Sequence, residues 1–572
     1  MTPIALRGEG LFTWTYPLDG GAWKLHLRSQ GTFGDDFMIS KVKTCAIAAA
    51  GTVLLAFGSQ PARAEWLRAE SQRFVVYSDG GERALRDYVQ KLEMFDRVMQ
   101  FRSGVEITTE PPRKLPIYLV RNRSGLQRVH PQSGENVVGT YFPTEEDIFA
   151  VAIRSDGNGI SGDEVLMHEY AHHFMLGNFP GSYPAWFVEG FAEYYATADI
   201  DVRDREVVLG SYNQNRAYWI MAESWLPLDV LLTKRPGEVR TSSQRSTYYP
   251  VAWLLTHWFY STPERQQQLQ DYLTAVAQGE DSVAAMQQTT GMTLEQLRAS
   301  LRRYTRERLT ITKISGQFPT ADVFVERLSP TADDLLLINQ RLKIGVPDED
   351  RQALGQEVTR LAARHGDDPL ALLAAGHAGL HFGDRPAGER ALQRLLDIDP
   401  DHVEALQFLA QERLKQAREA EDDDQAQALR VQARGYLSRA YAAGQNDYRT
   451  LMLLSELRRT QPGYPNENDL LTLGLALDRA PQLAAVRFPY ADALVKTGKP
   501  EEAIAVLKPV ANNPHGGAAS IFASGMIAAI EKGQALPEIT QDAEAPQISE
   551  PESEPETPPQ TPPESAPSPA SE

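Results

Sequence analysis

His168 and His172 stand four residues apart with Glu169 beside the first, in the pentapeptide His168-Glu169-Tyr170-Ala171-His172. On a helix this spacing stacks two imidazoles one turn apart on a single face, where both can converge on one cation. Zinc accepts such a pair at about 2.0–2.1 Å. Glu169 is rotated by about 100° from His168, which sets its carboxylate beside the cation as a proton acceptor for an activated water and not as a ligand. His173 falls on another face and reads as a packing or surface histidine.

The element that must carry this group is a helix. Ser161 with Glu164 reads as a capping box, and Gly177 with Pro180 as a stop, so residues 162–176 are expected to be helical. A catalytic zinc keeps three protein ligands and an open position. The pattern that takes a third histidine from the same segment fails, because its glycine would fall at Met175 and its histidine at Asn178. The run Ala185-Trp186-Phe187-Val188-Glu189-Gly190-Phe191-Ala192-Glu193-Tyr194 offers a second helix after Pro184. Glu189 and Glu193 lie one turn apart on one face of it, amid Trp186, Phe187, Phe191, Tyr194 and Tyr195. Two carboxylates in so apolar a helix need a compensating charge, which a zinc ion would supply. Glu189 is the candidate third ligand and Glu193 the candidate acceptor for the far N–H of a ligand histidine, and the two roles could be exchanged.

HEYAH followed by WFVEGFAEY resembles the gluzincin group of metallopeptidases, most closely the peptidase-MA-like domains of bacterial secreted proteins, over roughly residues 65–310. The resemblance implies a zincin-like α+β lobe with His168, His172 and Glu189 as ligands, Glu169 as general base and Glu193 as an outer carboxylate. The chain lacks the GAMEN-type segment of aminopeptidase relatives and has a shorter gap between second histidine and glutamate. The likeness also implies a tyrosine donating to the oxyanion near Ser246-Thr247-Tyr248-Tyr249-Pro250, ahead of an apolar helix expected from about Val251; Tyr249 is chosen over Tyr248. Residues Ile148–Ile153 read as a continuous apolar strand, and the resemblance makes it a sheet edge that could align an extended peptide. The Gly-rich stretch 154–162 reads as a loop at the cleft mouth. His257, among Trp253, Leu254, Leu255 and Trp258, reads as a core histidine.

Residues 38–64 have the make-up of a secretory signal peptide: a basic start at Met38-Ile39-Ser40-Lys41-Val42-Lys43, an apolar run to 57, and Ala62-Arg63-Ala64 before Glu65. Met38 is read as the true start of translation, which leaves 1–37 without a role. The apolar run is too short for a comfortable membrane span, and no later segment is long enough. Cys45, the single cysteine, falls inside this leader, so disulfides are excluded; a periplasmic or secreted bacterial protein is expected. The full chain carries −19, and removing a leader with six Lys/Arg and four Asp/Glu leaves −21. A nucleic-acid partner is disfavoured at that charge.

The remaining pattern divides the 572 residues into several units. Strands at 73–78 and 114–120 around a helix at about 81–101, with the strand at 148, suggest a small sheet under the two site helices. Residues 251–308 add a helical wall. A linker is expected over 311–329, then amphipathic helices from 330 to 533. Gly383-Asp384-Arg385-Pro386 to Asp399-Pro400 and Gly498-Lys499-Pro500-Glu501 to Asn513-Pro514 share a fourteen-residue proline spacing, resembling the second helices of tetratricopeptide-type hairpins. Such an all-α repeat domain offers a concave surface to a protein partner. From 535 to 572 there are ten prolines, nine acidic residues and no basic one, a composition that cannot bury a core. The expected activity is zinc-dependent hydrolysis of a peptide or protein substrate; the competing expectation is a periplasmic repeat scaffold with a structural or vestigial zinc site.

Overall fold

Two apolar strands with helices on both faces organise the N-terminal half. The computed structural model describes residues 65–539 apart from 106–112, 135–136, 155–161, 213, 222–223, 317 and 446. The expected leader, the residues before it, most of the Gly-rich loop and the acidic tail from 540 lie outside the described residues. A six-stranded mixed sheet contains β1 (Leu67–Glu70), β2 (Phe74–Ser78), β3 (Leu115–Val120), β4 (Gly139–Pro143), β5 (Ile148–Ile153) and β9 (Phe324–Arg327). Its order is β4-β5-β3-β2-β1-β9, with β2, β3 and β5 parallel and the outer strands antiparallel. A three-stranded sheet pairs β6 (Asp199–Asp201), β7 (Glu206–Leu209) and β8 (Thr312–Ser315).

The continuous apolar character of β3 and β5 follows from burial on both faces. Leu115, Ile117, Leu119, Ala150 and Ala152 face one core with α1 (Glu82–Ser103). Tyr118, Val120, Phe149 and Val151 face a second core beneath α2 (Arg123–Val129) and the helix Thr331–Arg341. Residues Ile148–Ile153 are therefore an interior strand, contrary to the expected sheet edge; β4 occupies that edge, antiparallel to β5. The expected linker at 311–329 is likewise corrected. Its residues supply β8 and β9, and β9 pairs with β1 in register from Leu67↔Arg327 to Glu70↔Phe324.

Among the described residues beyond 330, every regular element is a helix. Antiparallel pairs form from Pro369–Phe382 with Arg385–Ile398, Val403–Glu419 with Asp423–Ala443, Tyr448–Arg459 with Glu467–Arg479, and Ala484–Lys496 with Pro500–Ala511; Gly517–Glu531 packs last. First helices start at 369, 403, 448 and 484, spacings of 34, 45 and 36, so the tetratricopeptide period holds in one unit and is stretched in the others. Helix starts carry capping side chains at Asp368, Asp384, His402, Asp422, Asp447 and Asn466. This helical-repeat region is not a separate bead on the chain. Tyr448, Leu451, Ala476, Leu483 and Val486 belong to the same core as the site helices. Among the described residues no helix is long and apolar enough to cross a membrane.

Candidate metal centre

The first site helix, α3 (Gly162–Asn178), is two residues longer than the spacing predicts. Its first residue must be glycine, because a Cβ on Gly162 would lie 2.0 Å from the Ile153 carbonyl oxygen. Lys91 on α1 pairs with Asp163 at 2.9 Å. The back of the helix is held by Tyr170, whose hydroxyl donates to Asp96 Oδ1 at 2.6 Å, while Arg73 pairs with Asp96 Oδ2 at 2.7 Å. Burial pushes Asp96 up to about 6, against Arg73 and Tyr170. The second site helix, α4 (Ala185–Ala196), starts with Pro184 as its cap residue and not as its first helical residue. Gly190 lets α4 approach the helix Tyr248–Tyr260 closely: a Cβ there would stand 2.6 Å from the Ala252 carbonyl oxygen.

These anchors bring His168, His172 and Glu189 together, with ligand atoms all within 4.8 Å of one another. His172 Nε2 is 3.1 Å from His168 Nε2, and Glu189 Oε2 is 3.4 Å from His168 Nε2 and 3.6 Å from His172 Nε2. Donors around a tetrahedral zinc at about 2.05 Å stand about 3.3 Å apart, so the three atoms have the edge lengths such an ion requires. Glu189 is fully buried, and neither of its oxygens has a hydrogen-bond partner among the described residues. An orphaned buried carboxylate is costly unless a cation meets it. The donor set therefore fits zinc.

Glu193 Oε1 faces the other nitrogen of His168, Nδ1, at 3.4 Å. The two glutamates are thus separated in position, Glu189 toward the shared point and Glu193 behind His168. Burial opposes charge on His168, but Glu189, Glu193 and Glu169 outweigh it and push the imidazole up to about 9. Burial would raise Glu189, yet His172, His168 and His515 hold it well below the usual carboxylate range. Both shifts describe a pocket arranged to stabilise positive charge beside carboxylates.

Glu169 and His172 line a cavity shared with Tyr141, Tyr183, Gln482 and His515. Glu169 Oε2 is buried without a hydrogen-bond partner among the described residues, as a proton acceptor awaiting a substrate water would be. Tyr141, on the edge strand β4, is paired to His173 Nδ1 at 2.8 Å and accepts from Gln482 Nε2 at 3.2 Å. His173 is therefore a packed histidine, and burial pushes it down to about 4. Tyr249 is not among the residues lining this cavity. It is half-buried at the start of the Tyr248–Tyr260 helix, its ring edge-on to Tyr248, whose hydroxyl donates to the Lys234 carbonyl at 2.8 Å. His257 is a core residue: Nε2 bonds the Gly210 carbonyl at 3.1 Å and Nδ1 the Tyr304 hydroxyl at 2.8 Å.

No family model matches the chain, and no curated protein is significantly similar to it. A solved structure, that of a thermophilic TPR protein in Thermus thermophilus, is similar over 35% of this chain and 99% of its own, at 17% identity and a TM-score of 0.30. A likeness that weak carries no argument. The stacked hairpins themselves establish the helical-repeat character, whereas the metal centre stands on its own geometry.

Sequence reasoning missed Tyr141, Tyr183, Gln482 and His515. Tyr183 lies two residues before α4 and was within reach of local reading. Gln482 and His515 lie in turns between helices more than 300 residues downstream of α3, and no local pattern marks them.

Proposed function

We propose that the chain is a zinc-dependent metallopeptidase of the gluzincin type, acting in the periplasm or outside the cell, with a helical-repeat region fused to its catalytic lobe. The observation that carries the reading is the triangle of His168 Nε2, His172 Nε2 and Glu189 Oε2 with sides of 3.1, 3.4 and 3.6 Å, set beside Glu169, whose Oε2 is buried without a hydrogen-bond partner among the described residues. The location rests on the make-up of residues 38–64 and the lack of cysteine from 65 onward.

His168, His172 and Glu189 would hold the zinc, which when bound supplies a Lewis acid that acidifies water and polarises a carbonyl. Glu169 takes the proton from the attacking water as its oxygen bonds to the scissile carbon. The same carboxylic acid then returns the proton to the leaving nitrogen as the C–N bond breaks. Glu193 holds the far side of His168 and so fixes which nitrogen faces the metal. Strand β4, at the sheet edge and packed on α3, presents main-chain groups against which an extended peptide could align. The oxyanion role of Tyr249 is implied by the resemblance, and this mechanism does not depend on it.

A second reading, a helical-repeat scaffold with a structural metal, is favoured by the stacked hairpins and by the approach of His515 to Glu189 at 3.7 Å. Hydrolysis of a casein-type substrate separates the two. The peptidase reading expects cleavage abolished by a chelator, restored by zinc, and lost in Glu169→Gln while zinc remains bound; His168→Ala should lose both. Full cleavage by Glu169→Gln would contradict the mechanism, and bound zinc without cleavage of any peptide would favour the scaffold.

A further inference from the structure

Glu189 has two buried oxygens, and the proposed metal accounts for one. Oε2 faces His168 and His172, whereas Oε1 faces His515 Nε2 at 3.7 Å. Neither oxygen has a hydrogen-bond partner among the described residues. His515 also stands edge-on to His172, with ring centroids 6.1 Å apart. It therefore approaches the centre from the side the catalytic-lobe helices leave open, and it belongs to the repeat region.

The loop that carries it is held in place. Asn512 donates to the Ser182 hydroxyl, and Arg235 donates to the Ala511 carbonyl at 2.5 Å. Ser182 and Arg235 both belong to the catalytic lobe. Within the loop, the His515 N–H donates to Asn513 Oδ1 at 2.9 Å, and Gly516 follows at φ +69°, a conformation that favours glycine. Pro514 restricts the backbone on the other side. A side chain on so constrained a loop, 28% exposed and aimed at a wholly buried carboxylate, is placed by the fold.

We propose that His515 is a positioning residue for the metal centre: its Nε2–H donates to Glu189 Oε1, which leaves Oε2 alone to face the metal and makes the centre depend on the docked repeat region. The inference rests on the metal-binding reading above. The separation is about 0.7 Å longer than a hydrogen bond, so the proposal requires the imidazole to move toward Oε1. Groups that orient a ligand in this way change metal affinity by roughly 10–100-fold when removed.

The test uses the full chain with Co²⁺ and Zn²⁺ as probes, competing against a chromogenic chelator, alongside the absorption spectrum of bound Co²⁺. His515→Ala should weaken binding roughly 10–100-fold. His515→Gln, whose amide N–H can still reach Oε1, should restore affinity to within about threefold without moving the Co²⁺ bands. Thermal melting of the metal-free variants should match the unsubstituted chain, since the side chain lies in a loop. Unchanged affinity in His515→Ala overturns this inference alone. Weak binding by both variants with altered Co²⁺ bands also overturns it, because His515 would then be a ligand. No binding by the unsubstituted chain overturns the metal reading itself, and this inference with it.

Discussion

At the scale of single residues, the centre divides its carboxylates by what each one faces. Glu189 meets the shared point, Glu193 meets His168 Nδ1, and Glu169 meets the cavity. Replacement of Glu193 by alanine is expected to weaken zinc binding roughly 10–100-fold without abolishing it, because the donors remain; equilibrium competition against a chelator checks this. The proximity of His168 and His172 was legible because i,i+4 geometry is local and needs no knowledge of the fold. Glu189 and Glu193 were legible as a pair, but which of them faces both histidines depends on how two helices cross. What Tyr249 reaches is not set locally either: the sequence places it near a helix start, and only packing decides what a side chain there can reach.

At the scale of elements, small residues set how closely the site helices approach their neighbours. Gly190→Ala puts a methyl group against the Ala252 carbonyl and should destabilise the protein by about 1–3 kcal/mol through overpacking. Gly435→Ala, in the exposed helix Asp423–Ala443 with open space at the added carbon, should be stabilising by about 0.5–1 kcal/mol. Urea denaturation of the two variants measures both. The helices at 162 and 185 and the strands at 74, 115 and 148 were readable from caps and apolar runs. The Tyr248–Tyr260 helix starts earlier than expected because Pro250 is accommodated in its first turn, where it costs no helical hydrogen bond. Strands β8 and β9 escaped notice because they are short and largely exposed, so neither shows an apolar pattern. An apolar run identifies β5 as a strand but cannot say that β4 lies outside it.

At the scale of the molecule, the turn between β4 and β5 is the grip between the two regions. The Thr144 carbonyl accepts from the Tyr448 hydroxyl at 3.1 Å. Glu146 pairs with His377 at 3.0 Å and Arg449 at 3.6 Å, and Asp147 pairs with Arg113 and with Lys343 at 3.5 Å. Burial would raise both carboxyls, but His377 and Arg449 around Glu146, and Lys343 and Arg113 around Asp147, outweigh it and hold both below their ordinary values. Carboxyls depressed in the folded state stabilise it above their unfolded values of about 4 and lose that contribution as pH falls toward the folded ones. Acid titration should therefore loosen the two regions from each other below about pH 4, read as loss of intrinsic tryptophan emission or by scattering. Glu146→Ala leaves Arg449 buried beside an empty partner position and should cost on the order of 3–5 kcal/mol at neutral pH. None of this docking was visible in the sequence, because each pair joins residues about 200 or more apart except Arg113 with Asp147. The described elements after 330 are helices, and several of them share one core with the site helices.

The most direct test of the central claim is the metal content of the purified chain, measured for the unsubstituted protein, Glu189→Ala and Glu193→Ala. The geometry predicts one equivalent of zinc in the unsubstituted protein, its loss in Glu189→Ala, and its weakened retention in Glu193→Ala. An unsubstituted protein without zinc after incubation with the ion, or equal loss on Glu193→Ala with none on Glu189→Ala, would contradict the account.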